Sequence, residues 1–155
     1  MALALKATSL DECDLISALL QDSIYHLSHS DFHEEAKCFY IMLNRFCWEL
    51  CTEKASGSDA NFSKEDNCYY RALCGLYIHN VESIHINGNF TLKKDHPYCN
   101  LLSMHTSENE INLLFSDNKH ICLHISGICV FLKDLHEEHP TLHRPNHAIL
   151  EEKSE

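Results

Sequence analysis

The sequence predicts an α+β domain: a mostly antiparallel, strongly curved β-sheet or a small barrel, with an N-terminal helix and a C-terminal one. Lys37 to Leu50, KCFYIMLNRFCWEL, is the longest unbroken apolar and aromatic run and holds the only tryptophan, Trp48. Around it, segments with a two-residue apolar period are separated by turn signals, the pattern of meandering strands. Near the start a three- and four-residue spacing takes its place, which is the mark of an amphipathic helix.

The first residues, MALALKATSL, are expected to be frayed. Ser9 then stands as an N-cap, with Glu12 three residues on to complete a capping box beside the positive end of the helix dipole. Leu15, Ile16, Leu19 and Leu20 recur at helical spacing, so the helix is drawn over about Leu10 to Asp22. Ser23 to Ser30 alternates and reads as a strand; Ser30 to Ala36 is polar and reads as the turn that brings the central run back antiparallel. In that central strand Phe39, Ile41 and Leu43 alternate with Tyr40, Met42 and Asn44, which predicts burial on both faces.

Thr52 to Asn67 is rich in Gly, Ser, Asp and Asn and reads as a loop. Cys68 to Ile78 returns as a strand, and Val81 to Ile86 extends to Asn87-Gly88, a tight-turn signal that predicts a returning strand at Phe90 and Leu92. Leu101 to His105 is a short strand. Ile111 to Phe115 and Lys119 to Ile125 form a hairpin across Ser116-Asp117-Asn118. Ser126 is placed to cap a last helix with Ile128, Phe131, Leu132 and Leu135 on one face; an extra strand, favoured by the β-branched residues, is the alternative. Pro140, Pro145 and the charged end then stop regular structure, giving a globular domain over residues 1–136 and a partly disordered arm over 137–155.

At 155 residues the chain is long enough to bury roughly 68–70% of its unfolded surface without metal or disulfide. No apolar stretch approaches a membrane span, and the start is too short for a signal peptide, which points to the cytoplasm. Nine cysteines then read as reduced thiols, most of them core residues. The formal charge of -11 argues against nucleic acid and against anionic membranes. Protonation of the thirteen histidines would largely cancel that charge under mildly acidic conditions.

Three constellations could carry chemistry. His120, Cys122 and His124 share one face of a strand, but ligands spaced along a straight strand sit about 6–7 Å apart, too far for one zinc. His136, His139, His143 and His147 would stack on a helix that Pro140 and Pro145 break. Asn44, Arg45 and Glu49 surround Phe46 and Trp48; an arginine inside an apolar strand needs a carboxylate or backbone partner, or else anchors an anionic ligand. There is no glycine-rich phosphate loop, nucleophile elbow, HExxH or paired CxxC.

Asp14-Leu15 through Leu20-Gln21-Asp22, the segment Leu43-Asn44-Arg45-Phe46 followed by Trp48-Glu49, and the end with Arg144-Pro145 and His147 resemble a family of small, uncharacterised alphaproteobacterial proteins, a domain of unknown function. The resemblance implies a bacterial cytosolic protein without a known activity and singles out Asn44, Arg45, Trp48, Arg144 and His147 as candidate binding residues. In architecture, meandering strands closed by a terminal helix resemble the pleckstrin-homology barrel, an analogy that says nothing about lipids. The leading expectation is a non-catalytic module that binds a protein or peptide through a sheet edge or the arm, without a cofactor; homodimerisation through such an edge is allowed. A small-ligand or metal binder using the His-rich C-terminal half is the alternative.

Overall fold

The computed structural model describes residues 2–50, 69–91, 94–141 and 145. In chain order the elements are β1 (Ala4–Ala7), α1 (Leu10–Leu20), β2 (Ser23–His33), β3 (Cys38–Phe46), β4 (Tyr69–Ile78), β5 (Val81–Asn87), β6 (Tyr98–Thr106), β7 (Glu110–Phe115), β8 (Lys119–Ile125), β9 (Val130–Asp134) and β10 (His139–Thr141). A three-residue 3-10 turn, Trp48–Leu50, follows β3. All strands join one antiparallel sheet in the order β1-β9-β4-β3-β2-β6-β7-β8-β5, with β10 beside β9 on the same edge of β4. The path ends at β1 and β5 and is not closed among the described residues. Ala7 at one end and Val81 at the other nevertheless enter the same buried cluster as Ile41, Leu76, Leu113 and Leu123, so the sheet curls around its core.

The helix forms where its cap predicts. Ser9 Oγ accepts from the Glu12 N–H at 3.3 Å, and Glu12 Oε1 accepts from the Thr8 N–H at 3.1 Å and the Ser9 hydroxyl at 3.0 Å. These bonds, the one from the Thr8 amide first, hold the Glu12 carboxyl below its ordinary value of 4.5. A carboxyl lowered in the folded state contributes stability above its unfolded pKa and loses that contribution as pH falls through the folded one. We therefore expect Ser9→Ala to cost about 1 kcal/mol at neutral pH, with Glu12→Gln flattening the pH dependence below about pH 4.5; urea unfolding across pH checks both. The buried face is Cys13, Ile16 and Leu20, with Leu19 partly buried against the core, whereas Leu15 is 55% exposed. Ser17 Oγ accepts from the Met104 N–H at 3.0 Å and ties the helix to β6.

The central run is shorter and less buried than its composition suggests. Phe39, Ile41, Leu43 and Arg45 are buried on the inner face of β3, while Tyr40, Met42 and Asn44 are half-buried on the outer face. The expectation of burial on both faces is thus corrected: among the described residues no layer covers the outer side there. The stretch ends as a strand at Phe46, and the chain turns at Trp48–Leu50.

Three further expectations change. The frayed start is strand β1, paired with β9 from Ala4↔Lys133 to Ala7↔Val130. The C-terminal helix over Ser126 to Leu135 is not formed; Val130–Asp134 is strand β9, with Val130, Leu132 and Asp134 turned inward at a two-residue period. The helical face counted in the sequence arises from a dense apolar segment, and the slot between β1 and β4, with a ladder on each side, selects the extended form. Lastly, Asn87-Gly88 ends β5 but no strand returns from it at Phe90; β5 pairs with β8 instead. Gly88, at φ 97°, lies against the turn between β7 and β8, where an added Cβ would stand 2.7 Å from the Asn118 carbonyl oxygen. Leu92 and the loop at 52–67 lie outside the described residues. Part of the C-terminal arm, His139–Thr141, adds a short strand to β4.

Candidate functional site

Asn44 and Arg45 lie on opposite faces of the end of β3 and Trp48 in the turn that follows; Arg144 and His147 lie outside the described residues. Arg45 points inward and its side chain is 1% exposed. Its register partner on β4 is Ala72, and two positions on, Cys74 pairs with Asp134 of β9. These small residues let the guanidinium reach across a whole strand. Nε donates to Asp134 Oδ1 at 2.8 Å and Nη2 to Oδ2 at 2.9 Å, while Nη1 and Nη2 donate to Glu49 Oε2 and Oε1 at 3.0 and 2.8 Å. Burial by itself would lower the arginine pKa, but the bonds the guanidinium donates to Asp134 and Glu49 outweigh it and leave the pKa raised. Asp134 Oδ2 also accepts from the Leu3 N–H at 3.0 Å, which joins the clamp to the segment leading into β1.

Neighbouring groups brace this end of the sheet. Trp48 Nε1–H donates to the Gln21 carbonyl at 2.9 Å and fixes the turn after β3 to the end of the helix. The Trp48 ring meets Phe46 edge-on at 4.6 Å, and Arg71, lying 5.5 Å over the Phe46 ring, donates to the Asn44 carbonyl at 3.0 Å. Asn44 Oδ1 is buried with no hydrogen-bond partner among the described residues.

The thiols nearby are unreactive by environment. Burial pushes Cys47 up to about 11 and Cys74 up to about 12, far above the range of nucleophilic or metal-poised thiolates. Seven cysteines among the described residues are free, with Cys13, Cys47, Cys74 and Cys99 buried.

On β8, His120, Cys122 and His124 share the half-buried outer face, as the alternation predicts. They do not converge as a trio. His120 Nε2 pairs with Asn112 Oδ1 at 2.6 Å, whereas Cys122 and His124 face Glu110 of β7, a residue sequence spacing did not suggest. Glu110 is held below the usual carboxylate range by its bond from Asn112 first and from Cys122 next.

A second missed feature is a groove of about 490 Å³ on the outer face of β4, β9 and β1. Two cross-strand rows build it: Tyr77, Phe131 and Lys6 in one, Gly75, Lys133 and Ala4 in the next. Gly75 and Ala4 supply almost no side chain, so the second row is a trough beside a ridge of rings. A Cβ at Gly75 would come within 2.9 Å of the Tyr40 ring and 3.0 Å of the Tyr77 ring, so a larger residue there would make these half-buried rings shift. Lys6 Nζ lies 5.5 Å from the Phe131 ring centre, and His79 meets the same ring edge-on at 5.3 Å. No carboxylate lines the groove among the described residues.

Fold and surface together define a protein whose described residues form an open, antiparallel β-sheet with one helix packed on it, in which the buried arginine clamp braces an outer face of rings and lysines. The chain belongs to a family of proteins of unknown function, DUF2948, whose model matches residues 3–147. No curated protein and no solved structure matches it. Among the described residues no helix is long and apolar enough to cross a membrane.

Proposed function

We propose that this protein is a non-catalytic interaction module that docks an extended, acidic segment of a partner protein on the outer face of β4, β9 and β1. The observation that carries the proposal is the charge of the groove. In a chain of formal charge -11, this trough is lined by Lys6, Lys133 and His79, by the rings of Tyr77 and Phe131, and by no carboxylate among the described residues. Such a surface attracts carboxylates by long-range field and holds aliphatic or aromatic side chains by burial. Beside it β1 pairs with β9 alone among the described residues, so its other edge offers backbone donors and acceptors to an added strand.

Asn44, Arg45 and Trp48 act in this proposal as positioning residues. The clamp from Arg45 to Asp134 fixes the end of β9, the strand that carries Phe131 and Lys133. We take the setting to be a bacterial cytosol, which agrees with the free thiols of the described cysteines.

Random peptides displayed against the full chain are expected to enrich sequences that carry Asp or Glu beside an apolar residue. Lys6→Glu with Lys133→Glu is expected to weaken the enriched peptides by about tenfold or more, because attraction is replaced by repulsion. Phe131→Ala should weaken them while leaving charge untouched. Peptides indifferent to both changes, or no enrichment, would sink this reading.

A further inference from the structure

On the opposite side of the sheet path, β5, β8 and β7 present a second and independent arrangement. Glu110 and His124 are direct cross-strand partners, as are His85 and Cys122. Cross-strand partners stand close enough for their side chains to meet, unlike positions along a single strand. Glu110 Oε2 lies 3.5 Å from Cys122 Sγ and 4.0 Å from His124 Nδ1, and one ligand atom of each of the three residues falls within 4.8 Å of the others. The His85 ring meets that of His124 edge-on at 5.4 Å between centres, and His85 is the register partner of Cys122.

We propose that Glu110, Cys122 and His124, with His85 as a fourth ligand, form a binding site for one zinc ion. Zinc takes sulfur at about 2.3 Å and nitrogen or carboxylate oxygen at about 2.0–2.2 Å, so tetrahedral ligand atoms lie about 3.3–3.8 Å apart. Two of the separations already stand at or near that spacing, and rotation of half-exposed side chains closes the rest. One thiolate, one carboxylate and two neutral imidazoles offset the charge of a divalent ion. On binding, the Cys122 sulfhydryl that now donates to Glu110 gives its proton to solvent, and the sulfur lone pair takes up the metal.

The outer contacts support this assignment. Asn112 Nδ2 donates to Glu110 Oε1 at 3.2 Å, and Asn112 Oδ1 is held in turn by His120 Nε2 at 2.6 Å. One carboxylate oxygen is thereby fixed and the other is presented to the thiol and the imidazole, the arrangement that outer-shell partners give metal ligands. His120 is therefore an orienting residue and not a ligand. Side-chain exposures of 41% for Glu110 and 44% for His124 leave an entry path.

The test uses the untagged full chain, purified without chelator and stripped, titrated with zinc and then with cobalt. One zinc per chain is expected, and cobalt should develop the strong absorption of a cobalt–thiolate bond. Cys122→Ser should abolish that absorption, Cys129→Ser should retain it, and His124→Ala should weaken zinc binding by about tenfold or more. Asn112→Ala, which leaves every ligand in place, should weaken it by roughly 10–100-fold. Circular dichroism and thermal melts of each variant establish that it folds. The proposal is overturned by the absence of stoichiometric zinc binding. Binding that survives both Cys122→Ser and His124→Ala would also overturn it and place the ion on the histidines beyond β9.

Discussion

Arg45→Met is expected to destabilise the domain by about 3–5 kcal/mol, the cost of leaving a buried charge without its partner. Asp134, with a side chain 1% exposed, loses two guanidinium bonds and keeps the one from the Leu3 N–H; Glu49, 37% exposed, can turn to water when the arginine is removed. For a chain of 155 residues this corresponds to a fall in melting temperature of roughly 6–20 °C. Arg45→Lys should recover little, because an ammonium cannot present two parallel donors to Asp134 and two more to Glu49. Arg45→Met combined with Asp134→Leu should recover most of the loss, since an apolar pair of similar volume carries no desolvation penalty. Urea unfolding of the two single variants and the double variant measures the coupling. A single-variant loss below about 1 kcal/mol would mean that the clamp does not hold β9 as described.

Leu76→Ala is expected to cost about 2–5 kcal/mol, depending on how far the surrounding residues collapse. Leu76 pairs with Ile41 of β3 and Leu132 of β9, and all three are fully buried. Ile86→Ala on the exposed side of β5, where Ile86 is 57% exposed, should change stability by no more than about 0.5 kcal/mol. Equal losses for the two variants, read from denaturant midpoints at unchanged slope, would contradict the core drawn here.

Much of this architecture was legible in local sequence. The capping box, the alternation of β4, β7 and β8, and the turn through Asp117 and Asn118 each depend on near neighbours, and each appears where its residues predict, whereas β2 runs on to His33 through part of the segment expected to turn at Ser30 to Ala36. Strand β1 was not legible and β9 only as the alternative to a helix, because neither alternates over enough residues to outweigh a competing pattern; they exist through each other and through β4. The same limit applies to the candidate sites. That Arg45 needs a carboxylate follows from its place in an apolar strand, and Glu49 is near in sequence, but Asp134 is 89 residues away and joins only through the order β3-β4-β9. Glu110 was missed beside Cys122 and His124 for a similar reason: strand spacing tells which residues share a face, whereas the neighbour across the ladder is set by register. Lys6, Gly75 and Phe131 carry no sequence signal of a groove at all, since the trough lies between rows that three distant segments supply.

The pairing of β1 with β9 also orders events in time. Leu3 and Asp134, which exchange hydrogen bonds, are 131 residues apart. As the chain leaves the ribosome, β1 must wait, exposed and unmatched, until nearly the whole domain has been synthesised. The local hairpins β2-β3 and β7-β8 can form meanwhile. The last step then joins β9 to β4, brings Asp134 to Arg45 and seats β1 at once. An early-made strand that depends on a late-made one leaves the nascent chain with an open edge throughout translation, and a chain cut short before residue 130 would keep that edge for good.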